Sequence, residues 1–112
     1  MFVAIFRFSD KKLKKMKAVF IVYNQAHVEE TDAILANMGI RGFTRWEDVQ
    51  GAGSKSGEPH LGSHAWPGKN MATMVIVEDS LVNELLQELK KLDESAEMQG
   101  LRAFVWNIEN SI

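Results

Sequence analysis

Gly51-Ala52-Gly53-Ser54-Lys55-Ser56 has the composition of a phosphate cradle. Its glycines let backbone N–H groups approach an oxyanion, and Lys55 adds a positive point charge. The spacing differs from that of a P-loop, in which a glycine stands immediately before the lysine; here Ser54 does. No helix can follow, because Gly57, Pro59, Gly62 and Pro67 interrupt the next residues, so no helix N-terminus waits to receive an anion. A flexible linker with a solvated lysine is the plainer reading of these residues by composition.

Further along the same stretch, His60 and His64 with Glu58 nearby offer imidazole and carboxylate ligands for a divalent metal. A spacing of four aligns two histidines only on a helix, and no cysteine is present to complete a tetrahedral set. Trp66 is a large apolar side chain among residues that cannot build a core. It either folds back onto the domain or anchors a partner protein, since interface hot spots favour tryptophan. His27 stands just before a helical pattern and reads as a surface or capping residue. No Ser/His/Asp or Cys/His set and no carboxylate pair in an apolar setting announces catalysis, so no enzyme is expected.

These residues crowd into 49–70, which holds five of the chain's 8 glycines and both prolines and lies between two apolar runs. A loop of that length in a compact domain is uncommon unless it is functional or disordered. With 112 residues, 46% hydrophobic content and a net charge of −2, the chain is expected to form one domain. The charge supplies no general attraction to nucleic acid or anionic lipid. The absence of cysteine fits a reducing compartment. Neither the run after Met1 nor that after Met16 has the order or length of an export signal or a membrane span. A cytoplasmic location without membrane insertion is therefore expected, with residues 1–15 a tail appended to a domain over 16–112.

The elements that must position the chemistry follow from the apolar pattern. Lys17 to Asn24 is β-branched and aromatic, as suits a buried strand. Val28 to Met38 repeats at helical spacing with Glu29, Glu30 and Asp32 in its first turns, and Gly39 closes it. Ile40 to Val49 reads as a second strand and Met71 to Glu78 as a third. Ser80 is expected to cap a helix with Leu81, Leu85, Leu89 and Leu92 on one face, widened by Val82 and Leu86. Leu101 to Ile108 is a fourth strand. The order βαββαβ predicts an α+β, ferredoxin-like domain: one antiparallel sheet with two helices on one face. RNA-binding modules share this order, but their stacking aromatics belong on the first and third strands, and Met71 to Glu78 has none. Phe104 and Trp106 share a sheet face, opposite to Ala103 and Val105, and read as core or subunit-packing residues.

Gly39-Ile40-Arg41-Gly42-Phe43-Thr44 and Val49-Gln50-Gly51-Ala52-Gly53 together resemble the PII signal-transduction family, whose second strand runs roughly G-I-x-G-M-T and continues to V-x-G-x-G before a long mobile loop. The resemblance extends over residues 16–109 as element order. It implies a non-enzymatic homotrimer that binds adenine nucleotides (ATP, ADP or AMP) in clefts between subunits and contacts a target protein through the 49–70 loop. By the same resemblance, Thr44 would lie on the adenine side, and Gly42 is a further candidate nucleotide-binding residue. Gly51 and Gly53 would lie near the phosphates, with Arg102 in the place of a family basic residue; Lys55 is a further nucleotide-binding candidate by its charge alone. The loop residues His60, His64 and Trp66 would face the target.

Three departures stand out: one extra residue lies between Thr44 and Val49, Ser54-Lys55 replace Arg-Gln, and Gln99-Gly100-Leu101-Arg102 stands for G-D-G-K. Without that glutamine the usual Mg-ATP-dependent 2-oxoglutarate response is not expected. Divergent relatives of this kind are associated with membrane transporters, including heavy-metal efflux pumps. The alternative expectation is accordingly a metal-responsive efflux accessory using His60 and His64.

Overall fold

The structure is a computed structural model that describes residues 15–52, 69–95 and 100–112. Four strands are present: β1 (Met16–Asn24), β2 (Thr44–Val49), β3 (Asn70–Glu78) and β4 (Arg102–Asn107). Two helices separate them, α1 (Val28–Asn37) after β1 and α2 (Val82–Ser95) after β3. The strands form one sheet in the order β2-β3-β1-β4, with every neighbouring pair antiparallel. This is the expected ferredoxin-like arrangement.

Alternation along the strands assigns the two sheet faces. On β1, Val19, Ile21 and Tyr23 point to the helix side and join Val75 and Val77 of β3, Leu35 of α1 and Leu85 and Leu89 of α2 in the buried core. Ala103 and Val105 of β4 pack against that core from its edge. The heptad-like leucine spacing of α2 thus does what it predicts: Leu85 and Leu89 are fully buried, and Val82, Leu86 and Leu92 flank them.

Gly39 ends α1 as predicted, and the geometry explains why glycine is needed. Its φ of 73° is left-handed. The Gly39 N–H donates to the Ala36 carbonyl at 3.0 Å and the Ile40 N–H to the Leu35 carbonyl at 2.9 Å, which is a Schellman closure. The accompanying apolar contact places Ile40 beside Leu35 in the core.

Two boundaries differ from the sequence reading. Ile40 to Phe43 is not strand, since Ile40 is committed to the helix closure and pairing begins at Thr44. Ser80 does not cap α2. It lies inside a 3-10 turn, Asp79–Leu81, whose cap position is Glu78 and which runs directly into the helix. A matching 3-10 turn, Gln25–His27, precedes α1; there Asn24 accepts from the Ala26 N–H at 2.8 Å. His27 occupies the α1 cap position but its side chain makes no capping bond, and its Nδ1 lies 3.7 Å from Glu30 Oε2.

Candidate ligand-binding site at the sheet edges

Thr44 opens β2, one edge of the sheet, and Arg102 opens β4, the other edge. Register places Thr44 in a row with Met74, Phe20 and Phe104, and Arg102 in a row with Val22, Ala72 and Trp46. Three inter-strand steps of about 4.8 Å separate the edges, roughly 14 Å, so one chain does not bring these residues together. Arg102 is 60% exposed; its Nη1 donates to the Leu101 carbonyl at 2.7 Å and lies 3.4 Å from Asp93 Oδ2. Asp93 also accepts from the Leu101 N–H at 2.9 Å, tying the start of β4 to the end of α2. Gly100, which precedes it, has a φ of 70°.

Gly51 sits at the start of the 49–70 segment. A Cβ there would stand 2.3 Å from Asn70 Nδ2, and Asn70 is buried at the start of β3. A larger residue at this position would have to displace the Asn70 side chain, so packing against the neighbouring strand favours glycine here independently of any phosphate. Gly42 lies in the connection before β2 with open space around it. Gly53, Lys55, His60, His64 and Trp66 lie outside the described residues. Among the described residues no group of three or more His, Asp or Glu side chains is gathered as for a metal ion.

The strand between Thr44 and Val49, where the resemblance implies an extra residue, is irregular. Trp46 pairs with Ala72 and Val49 with Asn70, so Glu47 and Asp48 oppose Met71 alone. That is a β-bulge, which absorbs one residue and leaves the ladder in register on either side. Asp48 takes the strain with a φ of 57°, a conformation aspartate tolerates better than most residues. Its carboxylate lies 3.7 Å from Lys69 Nζ on the other stem of the loop.

Arg45 is a feature the sequence reading missed. Its neighbours Thr44 and Trp46 point to the helix-free face, so Arg45 points toward the helices and is only 17% exposed. Its Nη2 donates to Asp32 Oδ1 of α1, its Nε donates to Thr73 Oγ1 of β3 at 3.3 Å, and its guanidinium lies 4.6 Å from the centre of the Phe43 ring. Thr73 Oγ1 also shares a 2.8 Å hydrogen bond with the buried Tyr23 hydroxyl. Burial alone would lower the Arg45 pKa. The hydrogen bond to Asp32 and the field of Tyr23 more than offset it, and the value is raised above the ordinary one. Beside this network Asp32, Leu35, Ala36, Gly39, Ile40, Arg41 and Phe43 line an open groove of about 460 Å³.

The helix-free face carries the remaining chemistry. Trp46 (43% exposed), Ile76 (47%), Phe104 (56%) and Trp106 (46%) lie on it around Phe20. The Phe20 ring centre is 5.9 Å from that of Trp46 and 6.3 Å from that of Trp106. The core reading of Phe104 and Trp106 therefore does not hold within one chain; their alternates Ala103 and Val105 take that role.

The described residues thus form a ferredoxin-like protomer with an exposed aromatic face and with Thr44 and Arg102 at opposite edges of its sheet. The sequence pattern of the family described as nitrogen regulatory protein P-II matches residues 16–112, and the chain belongs to that family. No curated protein sequence matches the chain. Among solved structures it is similar to the PII-like protein CPII of Thiomonas intermedia K12 bound to ADP and bicarbonate, with 23% identity and a TM-score of 0.69 over 84% of this chain and 86% of that one. A putative PII-like signalling protein of Thermus thermophilus is 24% identical with a TM-score of 0.62, over 84% and 87% of the two chains. GlnK of B. subtilis in complex with ATP is 22% identical, also with a TM-score of 0.62, over 88% and 87%. At these identities the likeness is one of fold.

Proposed function

We propose that the chain is a non-enzymatic, homotrimeric regulator that binds an adenine nucleotide in clefts between neighbouring copies and passes the ligand state to a target protein through the 49–70 segment. The observation that carries this reading is the division of Thr44 and Gly51 from Arg102 across the full width of the sheet. A site using all three needs the β2 side of one copy next to the β4 side of another. The exposed aromatic face supplies a reason for copies to associate, since a contiguous apolar patch of this kind marks an interaction surface. Neighbouring structures holding ADP or ATP support the choice of ligand.

In this reading Gly42 and Thr44 meet the adenine side. Gly51 and Gly53 let the base of the loop approach the phosphates, and Lys55 and Arg102 contribute positive charge. His60, His64 and Trp66 belong to the surface offered to the target, which we take to be a membrane transporter.

The test is sedimentation together with calorimetry of ATP, ADP and AMP. The expected results are a mass about three times the 12.6 kDa chain and saturable binding of at least one nucleotide. Arg102→Ala should weaken nucleotide binding and leave the trimer intact, because its side chain is exposed and turned at the sheet edge toward Asp93 of α2. A monomer, or no binding at millimolar nucleotide, overturns the reading.

A further inference from the structure

Arg41, Gly42 and Phe43 are exposed and belong to no strand or helix, yet they lead directly into Thr44. Something must fix this short connection if Thr44 is to present a constant surface to a ligand. Its upstream end is anchored by the Schellman closure and the burial of Ile40. Its downstream end is anchored by one side chain.

We propose that Arg45 is a positioning residue for the nucleotide site, holding Phe43 and Thr44 in place by joining α1, β3 and the α1–β2 connection through a single guanidinium. The inference rests on the nucleotide reading above. Three attachments leave the guanidinium in three directions: Nη2 to Asp32 on α1, Nε to Thr73 on β3, and the planar face to the Phe43 ring. Thr73 is in turn held by the fully buried Tyr23, so the chain of contacts runs from the buried centre of the sheet to its exposed edge. Because Arg45 points inward, its neighbour Thr44 points to the opposite face, and rotation of one residue moves the other. A lysine has one nitrogen and no planar face, and cannot reproduce the three attachments.

The consequence is specific to the base and sugar end of the ligand. Arg102 is expected to act on phosphates only, whereas Arg45 acts through Thr44 and affects nucleoside and nucleotide alike. The experiment compares adenosine and ADP binding by calorimetry for wild type, Arg45→Lys, Phe43→Leu and Arg102→Ala, with hydrogen exchange followed at residues 41–44. Arg45→Lys should weaken adenosine and ADP by the same factor, about tenfold, the scale of one charge-assisted hydrogen bond. Exchange at 41–44 should quicken while the centres of β1 and β3 stay protected. Arg102→Ala should weaken ADP and spare adenosine.

Phe43→Leu alters only an exposed ring and should reproduce a smaller version of the Arg45→Lys effect, which keeps the test decisive if the buried substitution unfolds the chain. Adenosine binding by Arg45→Lys and Phe43→Leu equal to that of wild type overturns the inference and leaves the nucleotide reading standing. Wild type that binds neither adenosine nor ADP overturns that reading, and the inference falls with it.

Discussion

The two faces of the sheet are built from the same strands and finished by different means. On β1, Val19, Ile21 and Tyr23 are covered by α1 and α2, while Phe20, between them in sequence, faces the other way with Trp46 and Trp106 at its sides. The covered face is closed within the chain and sets its folding stability. The open face carries exposed Trp46, Ile76, Phe104 and Trp106 and has no covering element among the described residues. In the proposed reading the folding unit is smaller than the working unit: a single copy completes its core, and a neighbouring copy would complete its apolar face and its ligand site.

The sharpest way to break this comparison is to damage one face at a time. Leu85→Ala empties a fully buried position beneath the helix and should cost about 2–5 kcal/mol, seen as a lower urea midpoint. Trp106→Asp on the open face should instead convert the sedimenting species from three chains to one, with a helix and strand signature by circular dichroism like that of wild type. If Trp106→Asp unfolds the chain as Leu85→Ala does, the faces are not separable and the comparison fails.

A smaller effect sharpens the account of the covered face. Tyr23→Phe removes the hydroxyl that shares a hydrogen bond with Thr73 and should cost about 0.5–1.5 kcal/mol, because Thr73 Oγ1 loses one of its bonds and keeps that from Arg45. Thermal denaturation at two scan rates would measure it. The smallest effect concerns the strained edge. Asp48→Gly relieves a left-handed φ and loses an exposed ion pair with Lys69, and should change stability by less than about 1 kcal/mol, toward a higher melting temperature. A marked fall in melting temperature would mean that the Asp48 carboxylate supports the bulge in some further way.

The element order, the leucine face of α2 and the glycine closure of α1 were legible because each is written in local spacing. The two motifs around Thr44 and Val49 likewise carried the family resemblance, and the match over residues 16–112 bears it out. Ser80 misled because a serine before an apolar run is a good cap by type, whereas the backbone there tightens into a 3-10 turn first. Arg45 was invisible for a different reason. Thr44-Arg45-Trp46-Glu47-Asp48 looks like a solvated edge, and nothing within a few residues of Arg45 announces the distant Asp32 and Thr73 as its partners. Inward orientation follows from strand alternation only once the outward residue is known, and that depended on where pairing begins.

The bulge at Glu47 and Asp48 has a meaning for how this chain has been able to change. A one-residue insertion in a regular strand turns every later side chain to the wrong face. Here the added residue is contained, and Val49 still faces Asn70 as the strand ends. The joint uncouples the length of the edge strand from the orientation of whatever follows it. Replacing the segment beyond Val49 with one of another length is therefore expected to leave the pairing of β2 with β3 unchanged.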